Sequence, residues 1–321
     1  MARGDGGKTI FEDDEDRKVF IARLGEVCVR CGWKVHAWVL MGNHFHLLLE
    51  TPEANLVVGM KWLLGTFSQG WNRTRQRRGH VFQGRYKSVP VNGDETGAYY
   101  FRIVADYIHL NPSRAGLAGG ERGKLVDYEW SSLGNYAKGK GPDWLVLERV
   151  LRAFELAEDG RGRRAYVSWL EARAKEDGGK ISDEAQAALR RGWYLGEENF
   201  KDKLLAMVGR ARGTDKPRKA KTAVASAHGE GEAERLINVL GRVLELPTQK
   251  RKLEGLRKSD ERKVLVAAVL RRRTAVGVNW IAERLVMGHP GSVSRMLGAI
   301  PREVSLKKRL RELEAMLNSG D

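Results

Sequence analysis

The 321-residue chain is short of cysteine: it has two, Cys28 and Cys31. A lone C-x-x-C with no second pair excludes a disulfide framework and argues against a zinc site, leaving a reduced thiol pair on a helix. No apolar run approaches the ~20 residues of a membrane span, so the sequence implies no membrane partner and a cytoplasmic location. Met1 to Asp16 is polar and acidic, without the apolar stretch of a signal peptide. Acidic residues are missing from whole segments. Residues 61–93 hold Lys61, Arg73, Arg75, Arg77, Arg78, Arg85 and Lys87 and no Asp or Glu. Residues 201–321 hold 27 Lys+Arg against 14 Asp+Glu, or +13 of the net +16. A charge excess concentrated in one part of a chain points to a polyanion, here nucleic acid.

What is present begins with the stretch 42–50, Gly-Asn-His-Phe-His-Leu-Leu-Leu-Glu. It reads as a strand. Residues two apart on a strand share a face, so His44, His46 and Leu48 lie on one side and Phe45, Leu47 and Leu49 on the other. Two adjacent imidazoles can bind one divalent metal ion; they are also what an edge strand shows to water. Lys34 to Leu40 is a second strand, with Met41-Gly42-Asn43 as the hairpin turn.

Residues 98–111 form a helix with Asp94 and Thr96 as cap candidates and Glu95 in its first turn. Pro112 stops it near Asn111. Tyr107 and Asn111, four apart, share a helical face. A phenol can act as a covalent nucleophile, or simply pack. Further helices are expected over 13–31, 55–71 and 141–210, and a third strand within 80–91. The basic segment 61–93 carries Trp71, Phe82 and Tyr86 among its charges, the mixture of cations and rings that single-strand binding uses. Residues 211–232 have linker composition. Residues 233–317 are helical. Within them a turn at Met287-Gly288-His289-Pro290 has the plan of a helix-turn-helix, with Ser292, Ser294 and Arg295 outward and Val293, Met296 and Leu297 inward.

These pieces resemble a known family. His44-Phe45-His46 is similar to the His-hydrophobic-His motif of HUH single-strand nucleases. The runs 40–48 (Leu-Met-Gly-Asn-His-Phe-His-Leu-Leu) and 107–116 (Tyr-Ile-His-Leu-Asn-Pro-Ser-Arg-Ala-Gly) resemble REP-associated tyrosine transposases, as do 82–88, 128–132 and 192–196. The resemblance implies an α+β fold: a ferredoxin-like antiparallel sheet with helices over residues 1–140. A helical extension (141–210), the linker (211–232) and a helix-turn-helix domain (233–321) would follow. It implies Tyr107 as nucleophile and His44, His46 and Asn111 as ligands of Mg²⁺ or Mn²⁺. Single-stranded or hairpin-forming repeat DNA would be the partner, bound by Arg73, Arg75, Arg77, Arg78, Arg85, Tyr86 and Lys87. Duplex DNA would meet Ser292, Ser294 and Arg295. The family's first strand, which lies beside the His strand, is expected to be absent here. A non-catalytic DNA-binding regulator derived from a transposase is the competing expectation.

Overall fold

The computed structural model describes the chain except residues 95–96, 181–188, 190–193, 213–216, 275 and 319–321. The cap candidate Thr96 and the motif residues Gly192 and Trp193 therefore lie outside the described residues. Two compact units are resolved. The first comprises Met1–Cys28, Trp33–Pro52 and Met60–Pro217, and the second Val29–Gly32, Glu53–Gly59 and Arg218–Asp321.

The first unit is built on a three-stranded antiparallel sheet, order β1-β3-β2. Strand β2 (Lys34–Leu40) and strand β3 (His44–Glu50) form the hairpin. Its turn is closed by the Met41 N–H donating to the His44 carbonyl at 2.8 Å. Val39 stands opposite His46 and Leu40 opposite Phe45, with a bulge between Val35 and Ala37. Helix α1 (Asp14–Cys31) and helix α2 (Leu56–Thr74) supply the apolar layer under one face. Phe20 packs 4.6 Å from Phe45 and 5.3 Å from Phe67, ring centre to ring centre. Phe11 and Phe82 complete this buried aromatic cluster. Rings at such spacings add about 0.5–1.5 kcal/mol per pair beyond their burial. Helix α3 (Ala98–His109) packs on the sheet through β2 and β3.

The β1 strand is Ala2–Arg3, and it pairs antiparallel with β3: Ala2 opposite Phe45, Arg3 opposite His44. The edge expected to be bare is thus paired only at its start, at His44 and Phe45. An unpaired strand edge leaves backbone groups unsatisfied, and the chain meets this locally, the Gly4 N–H donating to the Asn43 carbonyl at 2.8 Å. The strand expected within 80–91 does not form. Pro90 removes one donor, and the segment instead lies along β1, with the Gln83 N–H on the Arg3 carbonyl and the Lys87 N–H on the Met1 carbonyl. Phe82 points into the core at 6% exposure, not outward to bases.

Helix α3 ends at His109, and a single turn, α4 (Asn111–Arg114), follows with Pro112 in its first turn. Pro112 has no N–H to extend the bonding of α3, and the break falls at Leu110, ahead of the expected Asn111. Helices α5 (Leu133–Lys138), α6 (Glu148–Ala153) and α7 (Gly160–Glu176) enclose the far side of α3. Asp159 caps α7, its carboxylate accepting from the Arg161 and Gly162 N–H groups at 2.8 and 2.9 Å. A further helix spans Glu198–Arg212. Cys28 and Cys31 form no disulfide and are both buried, and burial pushes the Cys31 thiol up to about 11.

The stretch that reads as linker by composition is helical from Pro217 through Val243. Its alanines, lysines and glutamates are strong helix formers, so poverty in large apolar groups did not mean poverty in helix. The rest of the second unit comprises helices Lys250–Glu254, Glu261–Arg273, Val278–Arg284, Pro290–Ala299 and Val304–Asn318. They share a core that includes Leu236, Leu240, Leu265, Val269, Ile281, Leu285 and Leu310. Lys263 is fully buried there, and its ammonium donates to the carbonyls of Leu253 (2.7 Å) and Val286 (3.2 Å). Burial of the ammonium lowers its pKa. Bonding to carbonyls at element ends lets a buried charge be tolerated.

Candidate active site

The face of β3 turned away from Phe20 carries His44 and His46, their rings 5.1 Å apart. The hairpin fixes both backbones. On α3, Tyr107 brings its ring edge-on to His46, also at 5.1 Å. One turn later Asn111, 8% exposed, hydrogen-bonds to His44 through its side chain. Two pairs of residues, separated by more than sixty positions in sequence, thus meet at one place.

The imidazoles are prepared as neutral donors. Burial lowers the pKa of His44, and Arg3 lowers it further; the bond from Asn111 opposes them. Burial likewise holds His46 well below its ordinary value, and the charges of the amino terminus, His44 and Arg114 act in the same direction. His44 Nδ1 lies 2.7 Å from Asn43 Oδ1, and Asn43 in turn donates its amide to the Gly7 carbonyl at 3.0 Å. The Asn43 oxygen can only accept, so Nδ1 carries the proton and Nε2 keeps its lone pair. Among the described residues no group of three or more His, Cys, Asp or Glu side chains could hold a metal ion. The set here is different: two neutral imidazoles and a carboxamide, nitrogen and oxygen donors that suit a divalent cation.

Behind Tyr107 the helix is clamped. His109, fully buried, lies 2.7 Å from the Tyr166 hydroxyl through Nδ1 and 2.7 Å from Ser132 Oγ through Nε2. Ser132 Oγ also accepts from the Trp38 N–H at 2.9 Å. A chain of bonds therefore runs from the helix that carries Tyr107 to α7 and to β2. Burial brings His109 down to about 3, so it is neutral. On the next face Asp106, beside Arg173 at 3.5 Å, is pushed up to about 6 by burial.

Two cations flank this group that sequence reasoning passed over. Arg114 places its guanidinium 4.4 Å from the Tyr107 ring centre and donates to the Tyr107 carbonyl. Its motif position, seven residues after the tyrosine, was a signal that spacing alone did not decode. Arg3 stands across from His44; no local pattern announces that.

The other residues expected to contact DNA are spread out. Arg73, Arg77, Arg78, Arg85 and Lys87 are exposed, and Tyr86 is half-buried. Arg75 is only 14% exposed and is held by Glu12 (3.0 Å), Asp13 (3.3 Å) and Asp16 (2.6 Å). Arg75 and Arg77 both stack on Trp71, at 4.7 and 5.3 Å. In the second unit Ser294 and Arg295 are exposed, Ser292 is half-buried, and Val293 is buried. The Arg295 guanidinium donates to Ser292 Oγ at 3.3 Å.

Residues 7–111 match the model of a protein family described as IS200-like transposases. No curated protein and no solved structure matches the chain. The matched segment runs from the loop before α1 to Asn111 and carries His44, His46 and Tyr107. That segment of the chain is similar to IS200-like transposases.

Proposed function

We propose that this protein cuts and rejoins single-stranded DNA through a 5′-phosphotyrosine at Tyr107. The observation that carries the reading is the convergence of Tyr107, His46, His44 and Asn111 on one face of β3. In cleavage the Tyr107 oxygen bonds to phosphorus and the bond from phosphorus to the 3′ oxygen breaks. The phenolic proton passes to solvent, and the leaving 3′ oxygen takes one up. Rejoining is the reverse, a 3′-hydroxyl attacking the phosphotyrosine and returning the phenol. His44, His46 and Asn111 would hold Mg²⁺ or Mn²⁺; when bound, the ion supplies positive charge against the phosphate oxygens. Arg114 holds the Tyr107 ring and backbone in place, and His109 keeps α3 against β2 and α7.

Hairpin-forming repeat DNA of the kind the REP-associated relatives use is the proposed target. Arg73, Arg77, Arg78, Arg85, Tyr86 and Lys87 would track its backbone, with a smaller share for Arg75, whose carboxylate partners compete. Helices 278–284 and 290–299 would act as a helix-turn-helix on duplex DNA through Ser292, Ser294 and Arg295. Among the described residues no helix is long and apolar enough to cross a membrane, which fits a protein that works on DNA in the cytoplasm.

The test is a denaturing gel. Wild-type chain incubated with single-stranded DNA and Mn²⁺ should give a protein–DNA adduct, and Tyr107→Phe should give none while binding DNA within about twofold of wild type. Tyr99 and Tyr100 are the tyrosines to examine if the adduct persists in that variant. A non-catalytic regulator would bind DNA and form no adduct at all.

A further inference from the structure

Arg3 and His44 are direct partners in the β1–β3 pair. Directly opposed residues of an antiparallel pair project to the same face. Arg3 therefore stands on the face that carries His44 and His46, one strand over from the His44 ring. Ala2, the other member of β1, faces Phe45 and is 6% exposed, while Arg3 is exposed. The backbone on both sides of Arg3 is fixed. Its carbonyl accepts from the Gln83 N–H at 2.8 Å, and the next N–H, of Gly4, donates to the Asn43 carbonyl at 2.8 Å.

The guanidinium is placed but not neutralised. Among the described residues no carboxylate pairs with Arg3. Arg75, Arg149, Arg173 and Arg284 all hold carboxylates. The Cα of Arg3 stands directly opposite that of His44. A structural role would call for a partner. An unpaired fork of N–H donors on the face that carries His44 and His46 calls for an anion from outside, and a guanidinium matches two oxygens of one phosphate.

We propose that Arg3 binds the non-bridging oxygens of the scissile phosphate, on the sheet side of the site. This rests on the nuclease reading and deepens it. The row Arg3, His44, His46, Tyr107 then has a direction: the phosphate sits over the histidines, with the nucleophile at one end and a fixed positive charge at the other. As charge builds on the phosphate oxygens in the transition state, a preorganised donor aimed at them speeds the step more than it tightens binding.

The experiment uses the full chain. A randomised single-stranded DNA library is incubated with wild type and Mn²⁺, adducts are recovered from a denaturing gel, and the enriched sequence identifies the scissile step. Oligonucleotides of that sequence are then made with a phosphodiester or a methylphosphonate at that step. On the phosphodiester, Arg3→Ala should slow adduct formation by roughly a hundredfold, the scale for removing one oxyanion donor. Affinity should stay within about threefold, and added guanidinium should restore part of the rate. Arg3→Lys should fall between. On the methylphosphonate, which lacks the charge, the ratio of wild type to Arg3→Ala should shrink towards one. A wild-type rate in Arg3→Ala, or an equal deficit on both substrates, overturns the role of Arg3 and leaves the nuclease reading standing. Failure of the wild type to form any adduct overturns both.

Discussion

The guanidinium of Arg114 lies 4.4 Å from the centre of the Tyr107 ring, and the same group donates to the Tyr107 carbonyl and, at 3.1 Å, to the Gly179 carbonyl. The tyrosine is held by its ring and its backbone at once. A cation over an aromatic face contributes about 0.5–2 kcal/mol. Arg114→Ala is therefore expected to cut the rate of adduct formation about tenfold while leaving the affinity for single-stranded DNA near wild type. Arg114→Lys keeps the charge but not the planar fork, and should recover only part of the loss. Single-turnover kinetics on one oligonucleotide check both. Equal rates for wild type and Arg114→Ala would reduce the stack to a packing contact.

His44→Ala and His46→Ala should each abolish metal-dependent cleavage, with a fall of about a hundredfold or more. Losing either imidazole opens the donor set, and even outer-shell changes at metal sites cost 10–100-fold. Calorimetric titration with Mn²⁺ should show weaker binding in both variants. If a chelator leaves wild-type cleavage unchanged, the assignment of these residues as ligands is wrong.

His109 makes stability depend on pH. Its folded value is about 3 against 6.5 for the free side chain. A base whose pKa is lowered in the folded state contributes stability that is complete above 6.5 and is lost as pH falls towards 3. The loss is on the order of 1.4 kcal/mol per pH unit across that window. Asp106, raised to about 6 from 3.8, works the other way: its contribution is present below 3.8 and is lost as pH rises through 6. The two offset each other between pH 4 and 6, so the informative quantity is the difference between wild type and His109→Gln. Urea unfolding should show that difference narrowing steadily from pH 7 to pH 4. A constant gap would mean that His109 is not the titrating group.

The second unit gives a prediction about salt. Log affinity for duplex DNA falls with log salt with a slope of about −0.9 per neutralised phosphate. Arg295→Ala should weaken duplex binding and make that slope shallower by about one, without altering adduct formation on a short single strand. An unchanged slope would mean that Arg295 does not meet a phosphate, and the helix-turn-helix reading would fail with it.

The sequence by itself determined the local pieces of the site. His44 and His46 share a face because a strand repeats every two residues. The hairpin follows from a short turn between two apolar runs, whereas Asn111 meets His44 from α4, across a break at Leu110. The outward placement of Ser294 and Arg295 and the burial of Val293 follow from the helical repeat of about 3.6 residues. These are short-range consequences of backbone geometry, and they survive any arrangement of the rest.

Only the tertiary structure decided which distant residues become neighbours. Ala2 and Arg3 pair with the start of the β3 edge, at Phe45 and His44, which no local pattern in the sequence announces. The 80–91 segment became the flank of that pair, not a strand, and Phe82 joined the core because the rings of Phe45 and Phe67 were already there to receive it. Arg75, one basic residue among several in sequence, is distinguished only by the three carboxylates that folding brings to it. Arg3 and Arg114 look alike as letters. One is tied to a ring and two carbonyls, and the other stands unpaired beside His44 among the described residues. Charge and hydrogen bonding act over a few ångströms in space and take no account of separation along the chain, so periodicity could not have told them apart.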